Sequence, residues 1–414
     1  MDLPHIVTVL IVLTAVFAYI NARFLKLPFT IGLMLISIVL SMLVMALGAY
    51  DPALLRYEQQ LVQSIDFHEL LMDGMLSLLL FAGALHVDFG KLRAYAAPIL
   101  AFATLGVITS TVLVACGFWL ILQWVGVPLD FIYCLLFGAL ISPTDPIAAL
   151  GILKKLGVPK KLEIKIVGES LFNDGIAVVV FLSLYQIAQL GLGQVSFESV
   201  SLLLLEEVGG GILLGLALGS VGYYMLGSID DYEAEILITL ALVVGGYGLA
   251  SLLHFSGPLA MVVVGLMVGN EHFRRGTMTE ETSLYIDRFW EIIDVLLNAL
   301  LFVLIGLEIV VLPFNQTFLL LGLLAIPLVL LCRVLSLALP VAVFRRPLEF
   351  EPHTTTIMTW GGLRGGISIA LALSLAADMP RDLLIGVTYA VVAFSIIVQG
   401  LTIEPLLRRL RRDS

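Results

Sequence analysis

The chain has 414 residues, of which 60% are hydrophobic and only 13% charged, and its formal net charge is -10. Soluble globular domains carry an apolar share nearer half, so this composition excludes them and predicts a polytopic membrane protein. Nothing supports nucleic-acid binding, and the placement of Lys and Arg along such a chain says more than the net charge.

A bilayer core needs roughly 20 apolar residues per crossing helix. Thirteen segments are predicted on that basis: helices 1 to 13 over residues 4–22, 28–49, 69–87, 95–125, 129–153, 162–191, 199–227, 234–254, 257–270, 289–311, 315–344, 354–377 and 382–407. Helix 1 has no basic flank before it and is long enough to span, so it reads as a retained helix and not a cleaved signal. Cys116, Cys134 and Cys332 lie in separate apolar segments and read as small hydrophobes, not as a zinc or redox motif. Of the 22 Lys and Arg residues, eighteen fall on one set of alternate loops and only Arg56 and Arg381 on the other; Arg333 and Arg364 lie within helices. That asymmetry predicts an external N-terminus and a cytoplasmic C-terminus. The short loops and tail leave no room for an ATP-hydrolysing domain, and no Walker-type phosphate loop occurs. Any transport is therefore expected to run on gradients, without a cofactor.

The odd count has a consequence. With helix 7 as a linker, helices 1 to 6 and 8 to 13 form two six-helix sets of opposite orientation, the logic of inverted-repeat transporters. Helix 5 then corresponds to helix 12. Helix 5 contains Ile141 to Pro146, ISPTDP, and helix 12 contains Trp360 to Gly366, WGGLRGG. Two interrupted segments at corresponding positions point to a transport site.

In helix 5, Pro143 and Pro146 lack amide donors and clash with preceding carbonyls, so regular helix is not expected through Ser142 to Pro146. Broken backbone at membrane depth requires burial in protein or a wet cavity. The freed carbonyls, the hydroxyls of Ser142 and Thr144 and the carboxylate of Asp145 are hard oxygen donors that suit a small cation such as Na+. Helix 6 supplies Gly168 to Gly175, GESLFNDG, in which Ser170, Asn173 and Asp174 share one helical face. Two acids in an apolar helix are costly, and the intramembrane bases are Arg333 and Arg364. The economical assignment pairs Glu169 with Arg333 and leaves Asp174 for ions. Arg364 is placed to offset partial charges at the broken helix ends or to hold helix 12 against helices 5 and 6. Competition between a proton and a cation for the Asp174 carboxylate is sufficient for exchange, and Asn173 can position or ligate but cannot carry the proton.

With ISPTDP, GESLFNDG and WGGLRGG in this order and in these helices, the sequence resembles the NhaP-like and eukaryotic exchanger branch of the first monovalent cation:proton antiporter family. The resemblance implies a secondary antiporter of Na+, Li+ or K+ against H+. It also implies a homodimer, with helices 4 to 6 and 11 to 13 as a mobile core around crossed broken helices 5 and 12. On that pattern residues 1–93 hold scaffold helices 1 to 3 and residues 94–192 hold core helices 4 to 6. Residues 193–311 then hold linker helix 7 and scaffold helices 8 to 10, and residues 312–414 hold core helices 11 to 13 and a basic tail. Carried over by motif, Asp174, Ser170 and Thr144 look like Na+ ligands, Asp145 and Asn173 like site-organising residues, and Glu169 with Arg333 like the core ion pair. The Asn173–Asp174 pair matches the form associated with electroneutral exchange. Some archaeal members add a glutamate from helix 3; here Leu79 to Leu85 contain no acid, and Asp73 lies toward the outer end.

Other features have blander expectations. Gly211, Gly215 and Gly219 in helix 7 have small-xxx-small spacing, read as ordinary packing. Glu206, Glu207 and Glu308 read as solvated acids at the outer membrane face, and Asp294 with Asn298 as a possible inner-funnel pair. Two other classes compete with the antiporter. An intramembrane aspartyl protease would carry Gly-x-Gly-Asp, which is missing, and a cation channel has no use for a titrating carboxylate at a dead-end site.

Overall fold

The computed structural model describes residues 3–48, 52–63, 65, 67–87, 89–145, 160–190, 197–312, 315–348 and 353–410. Among them every regular element is helical, and nine helices are long and apolar enough to cross a membrane. Three shorter apolar helices, Leu70–Leu85, Phe131–Ile141 and Gly257–Val268, fall at the predicted positions of helices 3, 5 and 9. Helix 12 is present as two pieces, Thr354–Gly361 and Gly366–Leu373. The second proline of ISPTDP, Pro146, and the predicted remainder of helix 5 to residue 153 lie outside the described residues, as does the side chain of Asp73.

Apolar periodicity did not reveal the short elements between spans. Pro52–Gln63 forms a surface helix of mixed polarity. It is tied to helix 1 by His5 and Tyr57 at 3.1 Å and to helix 2, Phe29–Leu47, by the Ser41 hydroxyl donating to Glu58 at 2.6 Å. Helix 6 begins at Lys160, earlier than hydropathy placed it, and Lys165 lies in its first turns. Its side chain is buried, with the ammonium 5.2 Å from the centre of the Tyr95 ring, so an aromatic face accepts the charge.

Lipid tails are as apolar as leucine, so close packing holds these helices together more than apolar burial does. The helix 7 glycines show how. A Cβ at Gly211 or Gly215 would come within 2.7 Å of the Ser256 or Ala260 carbonyl, and one at Gly219 would strike the Met267 sulfur. The stripe is therefore the seat of helix 9 within the same chain. Of the three acids expected to be solvated, Glu206 is exposed, but Glu308 is buried and within electrostatic reach of Arg381, and Glu207 is half-buried. Glu308 follows the last turn of helix 10, Glu280–Leu307, and packing covers it there.

Candidate ion-binding site

Helix 5 runs from Phe131 to Ile141 and stops where Pro143 removes the next amide donor. Its last carbonyls would be orphaned, and four carbonyls around the break have partners. The Ser142 hydroxyl donates to the Gly138 carbonyl at 2.7 Å and the Ser142 amide to Ala139 at 3.3 Å. The carbonyls of Ser142 and Pro143 both accept from the Arg364 guanidinium, the latter at 3.0 Å. A buried cation is thus placed at the negative end of a half-helix, where the peptide dipoles favour it.

This geometry revises two expectations. The freed carbonyls of Ser142 and Pro143 are occupied by Arg364 and not held open for a metal ion. The Ser142 hydroxyl turns away from the acids, toward Gly138 and toward Ser110 on helix 4 at 3.0 Å.

The two broken segments meet backbone to backbone. The Asp145 amide donates to the Leu363 carbonyl at 2.7 Å, an isolated antiparallel bridge between helix 5 and the interruption of helix 12. Approach this close needs glycine: a Cβ on Gly365 would lie 2.6 Å from Asp145 Oδ2 and 2.7 Å from its Cβ. Gly365→Ala is therefore expected to push the bridge apart, costing about 1–3 kcal/mol of stability. Transport should fall with it, as measured by thermal unfolding in detergent beside flux in vesicles.

Thr144, which precedes the bridge, is fully buried and engaged at both ends. Its hydroxyl accepts from Asn173 Nδ2 at 2.8 Å and lies 3.0 Å from the Ser170 hydroxyl, while its amide donates to Asn173 Oδ1 at 3.4 Å. The Asn173 amide is consumed in clamping Thr144. Next along helix 6 is Asp174, 8% exposed and close enough to Asp145 for their charges to repel. No donor among the described residues reaches the Asp174 carboxylate. Thr144, Ser170, Asn173, Asp145 and Asp174 thus converge where helix 5 breaks. The hydroxyl pair and the carboxylate are hard, oxygen-only donors; among the described residues no three His, Cys, Asp or Glu side chains gather as a transition-metal set would require.

Immediately before Ser170 in helix 6, Glu169 accepts from Arg333 at 2.5 Å, and both side chains are almost wholly buried. The second guanidinium nitrogen of Arg333 donates to the Met358 carbonyl at 3.4 Å, at the end of the first half of helix 12. The pair thereby links helices 6, 11 and 12.

A family model for the sodium/hydrogen exchanger, transmembrane, matches residues 11–409 of this chain. The chain belongs to the sodium/hydrogen exchanger family. The family is one of transporters and not of enzymes, and this exchanger is an integral membrane protein with multiple apolar helices. It is 48% identical to the Na(+)/H(+) antiporter NhaP of Pseudomonas aeruginosa over 98% of this chain and 96% of that one. It is 35% identical to the Na(+)/H(+) antiporter NhaH of Halobacillus dabanensis over 94% and 93%. Its fold matches a solved structure of the sodium proton antiporter MjNhaP1 from Methanocaldococcus jannaschii with a TM-score of 0.75. That likeness covers 97% of this chain and 100% of that one at 20% identity.

Sequence reasoning missed two residues that line the interruption of helix 12, Ser395 and Gln399. They lie in a π-helical turn of helix 13, Ser395–Gln399, between Arg381–Phe394 and Gly400–Leu410. Polar side chains at a four-residue spacing inside an apolar segment were the available signal.

Proposed function

We propose that this exchanger is a secondary antiporter that moves cytoplasmic Na+, Li+ or K+ outward against external H+, electroneutrally, with cation and proton competing for Asp174. The observation that carries this reading is the Asp174 carboxylate itself: buried, next to Asp145 and beside a hydroxyl pair held by Asn173, yet given no protein donor among the described residues. A dehydrated carboxylate with no internal partner is satisfied by a proton or a cation from outside the protein. One carboxylate exchanging one monovalent cation for one proton moves no net charge.

In this reading Thr144 and Ser170 contribute oxygens to the bound cation, while Asn173 and Asp145 organise the site. Glu169 with Arg333 holds the core together, and Arg364 neutralises the broken end of helix 5. Helices 4 to 6 and 11 to 13 act as the moving core against a scaffold of the remaining helices, in two inverted repeats and in a homodimer. The N-terminus is placed outside and the C-terminus in the cytoplasm of the cell membrane. The relatives' names support the ion pair, and the shared fold supports the architecture.

The test is flux in everted vesicles or proteoliposomes under an imposed pH gradient. Adding Na+, Li+ or K+ singly is expected to collapse the gradient for at least one of them, and clamping the voltage with valinomycin and K+ on both sides should leave the rate unchanged. A gradient untouched by every cation would sink the antiporter reading; a rate that follows voltage would sink the electroneutral one.

A further inference from the structure

The two halves of helix 12 are separated by Gly362 to Gly365, and a four-residue interruption in a buried helix leaves backbone groups that need partners. Helix 13 supplies them. Gln399 Nε2 donates to the carbonyls of Thr359, at 3.5 Å, and Trp360, at 3.3 Å, the last turn of the first half. The Arg364 amide, inside the interruption, donates to the Ser395 hydroxyl at 2.9 Å. Ser395 in turn donates to Gln399 Oε1 at 2.6 Å, so the two side chains form one connected unit with its donors and acceptors used in sequence. Both are at least 97% buried. They sit in the π-helical turn, a local widening often found at functional sites because it re-aims side chains out of the regular helical register.

The interruption they hold is the surface presented to helix 5. Leu363 gives its carbonyl to the Asp145 amide, and Arg364 caps the Ser142 and Pro143 carbonyls. We infer that Ser395 and Gln399 are positioning residues for the ion site: by bracing residues 359–364 of helix 12 they hold the broken end of helix 5 and set where Asp145 stands beside Asp174. Neither side chain touches the cation. Their contribution reaches the site through Arg364 and Leu363, and a buried polar network of this kind is specific only while every member is satisfied.

The inference rests on the antiporter reading, and the two can fail separately. In proteoliposomes, initial rates of Na+-driven pH-gradient collapse are measured against Na+ concentration for wild type, Ser395→Ala, Gln399→Met and Thr402→Val. Thr402 is the control: it lies exposed just past that turn, accepts from the Trp360 indole at 2.9 Å and donates to the Val398 carbonyl of its own helix, outside the Ser395–Gln399 unit. Ser395→Ala and Gln399→Met are expected to raise the apparent KM for Na+ about tenfold, with a smaller effect on maximal rate, while Thr402→Val stays at wild type. If Gln399→Met does not yield folded protein, the smaller Ser395→Ala decides alone. A wild-type KM in folded Ser395→Ala, or a loss of maximal rate with KM unchanged, overturns the positioning role. Absence of Na+-driven flux in wild type overturns the antiporter reading and this inference with it.

Discussion

Replacing Glu169 with Gln, or Arg333 with Met, is expected to remove most of the folded protein recovered from membranes, whatever the transport conditions. Each partner is almost completely buried, so deleting one leaves an uncompensated charge where little solvent reaches. Breaking such a pair costs about 3–5 kcal/mol, a large share of a domain's net stability. The Arg333 hydrogen bond to the Met358 carbonyl adds to the loss, because that carbonyl then keeps only its bond from the Gly362 amide. Exchanging the charges, with Glu169→Arg and Arg333→Glu together, should recover part of the loss seen in either single reversal. Size-exclusion profiles and thermal unfolding in detergent read this directly. Equal loss in the double variant and the single ones would show that the two residues matter for separate reasons.

The second large effect is at Asp174. Asp174→Asn keeps the shape of the side chain and removes the charge, so the protein should fold, and its thermal midpoint should not fall. Cation-driven collapse of a pH gradient should drop to the rate of empty vesicles for every cation tested, because an amide neither takes up a proton near neutrality nor balances a bound cation. Asp145→Asn is expected to be milder in kind. Asp145 meets helix 12 through its backbone amide, which the substitution leaves in place. Transport retained by Asp174→Asn would move the exchange chemistry elsewhere in the molecule.

Much of this site was legible in the sequence, because its parts are expensive in a membrane and therefore conspicuous. Two prolines flanking an aspartate announce a broken helix, and the break is where Pro143 puts it. The acids of GESLFNDG stand out in an apolar segment, and counting intramembrane bases led to Glu169 and Arg333, which the structure places 2.5 Å apart. What stayed hidden depends on direction and on long-range partners. Hydroxyl chemistry made Ser142 look like a cation ligand, but the rotamer that satisfies the Gly138 carbonyl points it away. The carbonyls freed by the prolines looked available until Arg364, more than two hundred residues later, was found on them. Glu308 looked solvated because its last-turn position suggested an interface, and nothing local signals that packing covers it near Arg381. Ser395 and Gln399 are ordinary polar residues in sequence, and only the gap in helix 12 some thirty to forty positions earlier gives them a task.

Competition for a single carboxylate is the centre of the account, and its kinetic signature is specific. Initial rates of exchange in proteoliposomes should be measured against Na+ concentration at a series of pH values, with the voltage clamped. If proton and cation share Asp174, lowering the pH on the acid side of the profile should raise the apparent KM for Na+ about tenfold per pH unit, while the maximal rate extrapolated to saturating Na+ holds constant. A KM that stays fixed while the maximal rate falls with pH would contradict it, placing the proton and the cation on different groups.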